Sequence, residues 1–166
     1  MSQNEALEYK NSGNRNCNKN NFDQAITDFT KAISLNPNDA EVYYSRGVAY
    51  YSIGVTRDDT SSIDRAMEDF DHALKLNSDY ADVYSARGSA YSSKGELDKA
   101  IEDLNHAIQL DPDDYQAYSA RGGTYIRKKE YERGIKDMEI SLRINPDQFE
   151  TRKIIEMART MQKMQI

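Results

Sequence analysis

The sequence predicts an all-α fold built from antiparallel helix pairs. Three observations support this: a pattern that recurs along the chain, apolar residues at helical spacing within each copy, and few Gly or Pro residues, 8 and 3 of 166. Because Gly and Pro dominate turns, their scarcity indicates short connections and much helix. With 38% apolar and 10% aromatic residues, the chain has enough apolar surface to bury in a folded core.

The recurring pattern has two parts, which we assign to the two helices of each pair. The first part begins at Glu41, Asp82 and Gln116, and reads EVYYSRGVAY, DVYSARGSAY and QAYSARGGTY. The second part begins at Phe22, Ile63, Leu97 and Tyr131, and reads FDQAITDFTKAISLNP, IDRAMEDFDHALKLNS, LDKAIEDLNHAIQLDP and YERGIKDMEISLRINP. These copies define four repeats, residues 6–39, 40–80, 81–114 and 115–148, followed by a ninth helix over 149–166.

Residues with capping and helix-breaking roles mark the ends of the predicted helices. Asp39 and Asp114 stand where a carboxylate can accept hydrogen bonds from the first amides of the next helix. Prolines that cannot continue a helix follow three of the second helices, at Pro37, Pro112 and Pro146. The second repeat has extra residues within 55–62, and we expect them to lengthen the turn between its two helices.

The shared columns of the repeats resemble the tetratricopeptide repeat (TPR), a helix–turn–helix unit of 34 residues. An aromatic column holds Tyr9, Tyr43, Tyr84 and Tyr118, and a glycine column holds Gly13, Gly47, Gly88 and Gly122. The second helices carry small residues at Ala25, Ala66 and Ala100. The resemblance covers residues 6–148. It implies one domain, 1–166, folded as a right-handed superhelical solenoid whose helix 149–166 caps the last repeat.

Composition and motifs exclude several classes of protein. A net charge of −6 argues against a nucleic-acid surface, and the longest apolar run, residues 48–51, is too short for a membrane span or a signal peptide. The single cysteine cannot form an internal disulfide, and no catalytic motif is present. We therefore expect a non-catalytic protein without cofactor or metal, located in the cytoplasm.

A second feature that the repeats share is a pair of columns of charged residues. Arginine stands in the first helices at Arg46, Arg87 and Arg121, and aspartate stands in the second helices at Asp28, Asp69, Asp103 and Asp137. Because a partly buried Arg normally has a carboxylate partner, these columns predict a ladder of ion pairs. The pairs could form within a repeat or between neighbours, and either arrangement leaves one aspartate, Asp28 or Asp137, without an arginine.

The resemblance also implies a concave groove, lined by the first helices, that binds a peptide segment of another protein. Projection of these helices places a larger set of residues on the inner face, Cys17 and Asn18 among them. From this set we choose eleven candidate peptide contacts: Lys10, Asn14, Tyr44, Val48, Tyr51, Ser85, Ser89, Ser92, Gln116, Ser119 and Arg127. Tyr44, Val48 and Tyr51 form one stripe and are the candidate anchors. The sequence gives this stripe no obvious partner within the chain, although neighbouring tyrosines packing on each other is an equal alternative.

The resemblance and the predicted C-terminal helix, residues 149–166, suggest two other functions. Some TPR proteins hold a chaperone's C-terminal carboxylate with Lys, Asn, Asn, Lys and Arg. Lys10 and Asn14 match the first two positions, but Asp82 stands at the fourth and would repel an acidic tail. The alternative function is self-assembly through the ends of the solenoid or through the C-terminal helix, where a stripe of Met157, Met161 and Met164 lies either in the core or on a sticky surface.

Overall fold

The computed structural model describes residues 2–164. Within this range the chain forms nine α-helices and no strand. The helices are α1 (Ser2–Asn18), α2 (Phe22–Leu35), α3 (Ala40–Arg57), α4 (Thr60–Leu76), α5 (Ala81–Ser93), α6 (Leu97–Leu110), α7 (Tyr115–Arg127), α8 (Tyr131–Ile144) and α9 (Phe149–Met164). The predicted four helix pairs and ninth helix are therefore confirmed. None of the helices in this range has both the length and the apolar character needed to cross a membrane.

The chain divides into two compact units between Ala86 and Arg87, within α5. The N-terminal unit contains α1 to α4, and in it α1 packs on α2, α2 on α3 and α3 on α4. The C-terminal unit contains α6 to α9, and in it α6 packs on α7, α7 on α8 and α8 on α9. As predicted, Asp39 and Asp114 are N-caps, and each side chain accepts hydrogen bonds from two backbone amides.

Glycine in the first helix of each pair allows close contact with a fully buried side chain of the second. A Cβ atom at Gly13 would lie 2.5 Å from the Phe29 ring, and one at Gly47 would lie 2.7 Å from Phe70. Gly88 and Gly122 have the same relation to Leu104 and Met138. Since these four large side chains are completely buried, the glycine column is the crossing point around which each pair forms its core.

The α7–α8 crossing is closer than those of α3–α4 and α5–α6. A Cβ atom at Gly122 would lie 2.8 Å from the Gly134 carbonyl oxygen, whereas the corresponding distances are 3.3 Å from Gly47 to Ala66 and 3.1 Å from Gly88 to Ala100. A Cβ atom at Gly134 would lie 2.7 Å from the carbonyl oxygen of Gly122 and 2.6 Å from Cγ1 of Ile126. This explains why glycine replaces the alanine that the other repeats have at this position. Ser141, which also replaces an alanine, donates a hydrogen bond to the Tyr115 carbonyl at 2.7 Å.

The extra residues of the second repeat extend its helices, so the expected longer turn is wrong. Helix α3 continues to Arg57 and α4 begins at Thr60, with Asp58 and Asp59 between them. Asp58 adopts a left-handed conformation (φ 54°) and ends α3, while the Asp59 side chain caps α4, so two residues suffice for the connection. The added turn of α3 brings Arg57 to Asp23 on α2, with a 2.7 Å ion pair.

The charged ladder forms within each helix pair. Each arginine donates two hydrogen bonds to its aspartate, at 2.7–2.9 Å, in the pairs Arg46–Asp69, Arg87–Asp103 and Arg121–Asp137. Asp28 is the aspartate without an arginine. It accepts hydrogen bonds from Ser12 at 2.8 Å, Asn16 at 2.9 Å and Gln24 at 3.1 Å instead. Ser12 occupies the arginine column of its repeat, so one neutral donor stands where the other repeats place a cation.

Helix α9 packs on α8 through Thr151, Ile155 and Ala158, which are buried. Gln148 joins the two helices, because its amide donates to the Ser141 and Asn145 carbonyls at 3.0 and 2.7 Å. The methionine stripe lies on the exposed side of the helix, with Met157, Met161 and Met164 exposed by 50, 41 and 81%. The stripe is therefore exposed, and the core interpretation is wrong.

Candidate peptide-binding cleft

In the N-terminal unit, the first helices of the first two repeats form a cleft of about 170 Å³. Its lining combines amide, hydroxyl, thiol and apolar side chains: Asn14, Cys17, Asn18, Tyr44, Ser45 and Val48. Three of these residues, Asn14, Tyr44 and Val48, belong to the predicted groove set. They meet here because α1 and α3 present neighbouring faces at helical spacing.

Tyr44 forms one wall of the cleft and is also part of the packing of its own unit. Its ring lies 5.2 Å from that of Tyr80 and 6.4 Å from that of Phe70, centroid to centroid. For Tyr44, packing between neighbouring aromatic residues is therefore the correct alternative. Burial, followed by the charges of Asp82, Glu41 and Asp39, raises the pKa of Tyr80 to about 12, so its hydroxyl stays protonated at neutral pH.

Lys10 does not line this cleft, and its charge is paired within the chain. Its ammonium group lies 2.6 Å from Glu41 and 3.2 Å from Asp39, and only 15% of the side chain is exposed. Burial lowers the pKa of Lys10, but the hydrogen bonds to Glu41 and Asp39 outweigh it and leave the pKa above the ordinary value. Lys10 therefore links α1 to the start of α3 in its charged form.

Cys17 lies within the cleft as a neutral thiol. Burial raises the pKa of this thiol above its ordinary value, so little thiolate is present at neutral pH. Cys17 and Asn18 project onto the inner face of the first helix in the sequence but were not among the eleven candidate contacts, and Ser45 was outside the projected set. The signal for the first two was their spacing of three and four residues from Asn14, which places them on the same helical face.

The remaining predicted groove residues have varied surroundings. Tyr51 and Ser89 are partly exposed, whereas Ser85 is buried, with 9% exposure, and offers little surface for contact. In the C-terminal unit, Arg127 donates hydrogen bonds to the carbonyl of Ser92 and, at 3.0 Å, to its hydroxyl. Arg127 thus binds the last turn of α5.

Gln116 and Ser119 lie on α7, with Gln116 exposed and Ser119 partly exposed. Within residues 2–164, no group of three or more His, Cys, Asp or Glu side chains comes together as a metal site would require.

Two family models match the chain over much of its length. A model described as TPR repeat matches residues 13–54 and 88–129. A second model, described as tetratricopeptide repeat, matches residues 47–80 and 115–148. The chain belongs to the tetratricopeptide repeat family, whose fold is a scaffold for interactions between proteins.

Several solved structures share this fold. MamA from Desulfovibrio magneticus RS-1 is 20% identical, with a TM-score of 0.80 over 98% of this chain and 88% of that one. PilF from Pseudomonas aeruginosa is 20% identical, with a TM-score of 0.82 over 98% and 71%. The second TPR domain of human RPAP3, solved in complex with the HSP70 peptide SGPTIEEVD, is 23% identical, with a TM-score of 0.67 over 75% and 98%. The predicted fold class, an all-α TPR solenoid, is confirmed.

Proposed function

We propose that this protein is a non-catalytic, cytoplasmic scaffold that binds a peptide segment of another protein in the α1–α3 cleft. The observation that carries the proposal is the lining of that cleft. Tyr44 and Val48 offer apolar surface beside the amides of Asn14 and Asn18. Amide side chains can both donate to and accept from a peptide backbone, and the apolar surface can hold one side chain of the ligand.

The charges around the cleft favour a neutral or apolar segment. Lys10 is paired with Glu41 and Asp39, so its charge is committed within the chain. The RPAP3 domain, in complex with a peptide that contains two glutamates and an aspartate, supports peptide binding by this fold. The present chain would select a different kind of peptide, because Glu41 and Asp82 would repel the carboxylates of an acidic one.

The preformed packing of the cleft supports binding without a large ordering cost. Tyr44 is held by Tyr80 and Phe70 before any ligand arrives. A wall that is already ordered loses little conformational entropy when it binds. The other predicted groove residues, Tyr51, Ser89, Gln116 and Ser119, are proposed to extend the contact beyond the cleft.

Selection of peptides from a random library, followed by calorimetry, tests this proposal. Val48→Glu should lower the affinity for the selected peptides by about tenfold or more, which corresponds to about 1.4 kcal/mol of binding free energy. Val48 is the better probe than Tyr44, because removing the Tyr44 ring would also remove its packing on Tyr80. Asn18→Ala, at an exposed position of the same cleft, should weaken binding about threefold. This second variant still tests the cleft if Val48→Glu does not fold.

The matched control is Leu76→Glu, at an exposed residue of the same unit that does not line the cleft. It should bind the peptides as wild type does. Equal affinity for Val48→Glu and Leu76→Glu, with both variants folded by circular dichroism, would contradict the proposed cleft. So would failure to select any peptide.

Self-association through α9 is the second candidate function. Phe149, Met157 and Met164 are exposed by 65, 50 and 81% on the side of the helix opposite Ile155 and Ala158. Large exposed apolar side chains in one stripe favour a protein contact. Sedimentation at two concentrations should show a larger species at the higher one, and Met164→Glu should reduce it. A constant monomer would exclude this function.

A further inference from the structure

The C-terminal unit contains a second, larger cleft of about 430 Å³. Residues of α6, α7 and α8 line it: Asn105, Tyr118, Arg121, Tyr125, Arg133, Lys136, Asp137 and Ile140. Helix α7 contributes Tyr118, Arg121 and Tyr125, which follow one another at intervals of three and four residues and so share one face of the helix. This face is opposite the one that carries Gln116 and Ser119. The cleft is therefore separate from the predicted groove residues of the same helix.

The lining contains three cations and one carboxylate, and the three cations differ in how they are paired. Arg121 is matched by Asp137 through two hydrogen bonds and also donates to Asn105 at 2.7 Å. Arg133 lies 4.0 Å from the centre of the Tyr125 ring and pairs with Glu130 at 2.6 Å. Lys136 is exposed and forms no ion pair among residues 2–164. The cleft thus carries cationic charge beyond what its own carboxylate balances.

Comparison of the repeats shows that this charge is particular to the fourth one. The position before the ladder aspartate is Lys136 here, but Glu68 and Glu102 in the second and third repeats. On α6, Asn105 follows the buried core residue Leu104. On α4, Asp71 follows the equivalent core residue, Phe70. Lys136 therefore stands where the second and third repeats have glutamate and the first has Thr27. Asn105 stands where α4 has Asp71 and α2 has Thr30, in a chain whose net charge is −6.

We propose that this cleft binds an acidic segment of a partner protein. Lys136 and Arg133 would hold carboxylates of that segment, with Arg133 exchanging its exposed contact to Glu130 for the ligand. Tyr118 and Ile140 give apolar surface for the methylene groups of a glutamate side chain. A nucleic-acid ligand fits less well, because a backbone of regularly spaced phosphates needs a longer track of cations than this cleft provides.

Fluorescence anisotropy with labelled hexaglutamate and hexaglutamine peptides tests the proposal on the full chain. Hexaglutamate should bind, more weakly as salt increases, and hexaglutamine should not. Lys136→Glu, which introduces the glutamate that the second and third repeats have at this position, should weaken hexaglutamate binding about tenfold or more. Asn105→Asp should weaken it about threefold, because it adds one carboxylate while keeping an acceptor for Arg121.

Lys163→Glu is the matched control, since it makes the same charge change at an exposed residue of α9 outside the cleft. It should retain hexaglutamate affinity within about twofold. Val48→Glu should also retain it, so that this site and the proposed α1–α3 cleft are tested independently. Equal loss in Lys136→Glu and Lys163→Glu, or no preference for hexaglutamate, would overturn the proposal. Tighter binding of oligothymidylate that is lost in Lys136→Glu would assign the cleft to nucleic acid instead.

Discussion

The first and fourth helix pairs solve the same problem of a buried aspartate in different ways. In the α1–α2 pair, Asp28 accepts hydrogen bonds from Ser12, Asn16 and Gln24, all of them neutral. In the α7–α8 pair, Asp137 accepts both of its short bonds from the Arg121 guanidinium. Both aspartates are 5% exposed. The repeat therefore retains the buried carboxylate, while the source of its hydrogen bonds changes.

This difference determines how each pair should respond to loss of the negative charge. Around Asp28, the bonds from Ser12 and Asn16 both reach Oδ2, and an amide oxygen could accept both. Around Asp137, Arg121 donates to both oxygens, so an amide would present its own N–H to a guanidinium N–H. The first pair needs an acceptor, whereas the fourth pair needs a charge.

The largest expected effect comes from the same substitution at the two sites. Asp137→Asn should lower the free energy of unfolding by about 3 kcal/mol, because it leaves the partly buried Arg121 without its counter-charge. Asp28→Asn should lower it by less than about 1 kcal/mol, because only the exposed Gln24 must turn its amide. Urea denaturation of both variants beside wild type measures the difference.

A second measurement sharpens this comparison. Arg143→Met removes an exposed arginine of α8 and should change the free energy of unfolding by less than about 0.5 kcal/mol. Equal destabilisation by Asp28→Asn and Asp137→Asn would refute the distinction between a neutral and a charged partner. Destabilisation by Arg143→Met as large as that by Asp137→Asn would indicate a general effect of charge on this unit.

Much of the fold could be predicted from the sequence because each helix pair must meet the same packing requirement. Gly13 and Gly122 mark crossing points for the same steric reason, and Phe29 and Met138 fill the same space. The extension of α3 to Arg57 could not be predicted, because residues 55–57 are compatible with either a turn or a helix. The outcome depended on Asp58 adopting a left-handed conformation.

The sites could be predicted only in part because ion pairing depends on tertiary contacts. Helical projection brought Asn14, Tyr44 and Val48 to one face, and these three residues line one cleft. The same projection placed Lys10 among the groove contacts, whereas Asp39 and Glu41 pair with it across the helix boundary. The cationic cleft was not predicted from the sequence, although Lys136 stands in a column that holds Glu68 and Glu102 in the second and third repeats.

The first and fourth helix pairs also differ at their crossing points, because Ala25 of the first stands where the fourth has Gly134. Two substitutions in the α7–α8 pair should have smaller and opposite effects. Gly134→Ala should lower the free energy of unfolding by about 2 kcal/mol, since its Cβ would lie 2.7 Å from the rigid Gly122 carbonyl oxygen. Gly123→Ala is the matched control on α7, where the nearest atom to the new Cβ would be Met138 Cε at 3.8 Å. It should raise stability by about 0.5–1 kcal/mol, because alanine is the better helix former. Stabilisation by both substitutions in thermal melts would mean that the α7–α8 crossing is no tighter than the others, and that glycine at position 134 has no packing role.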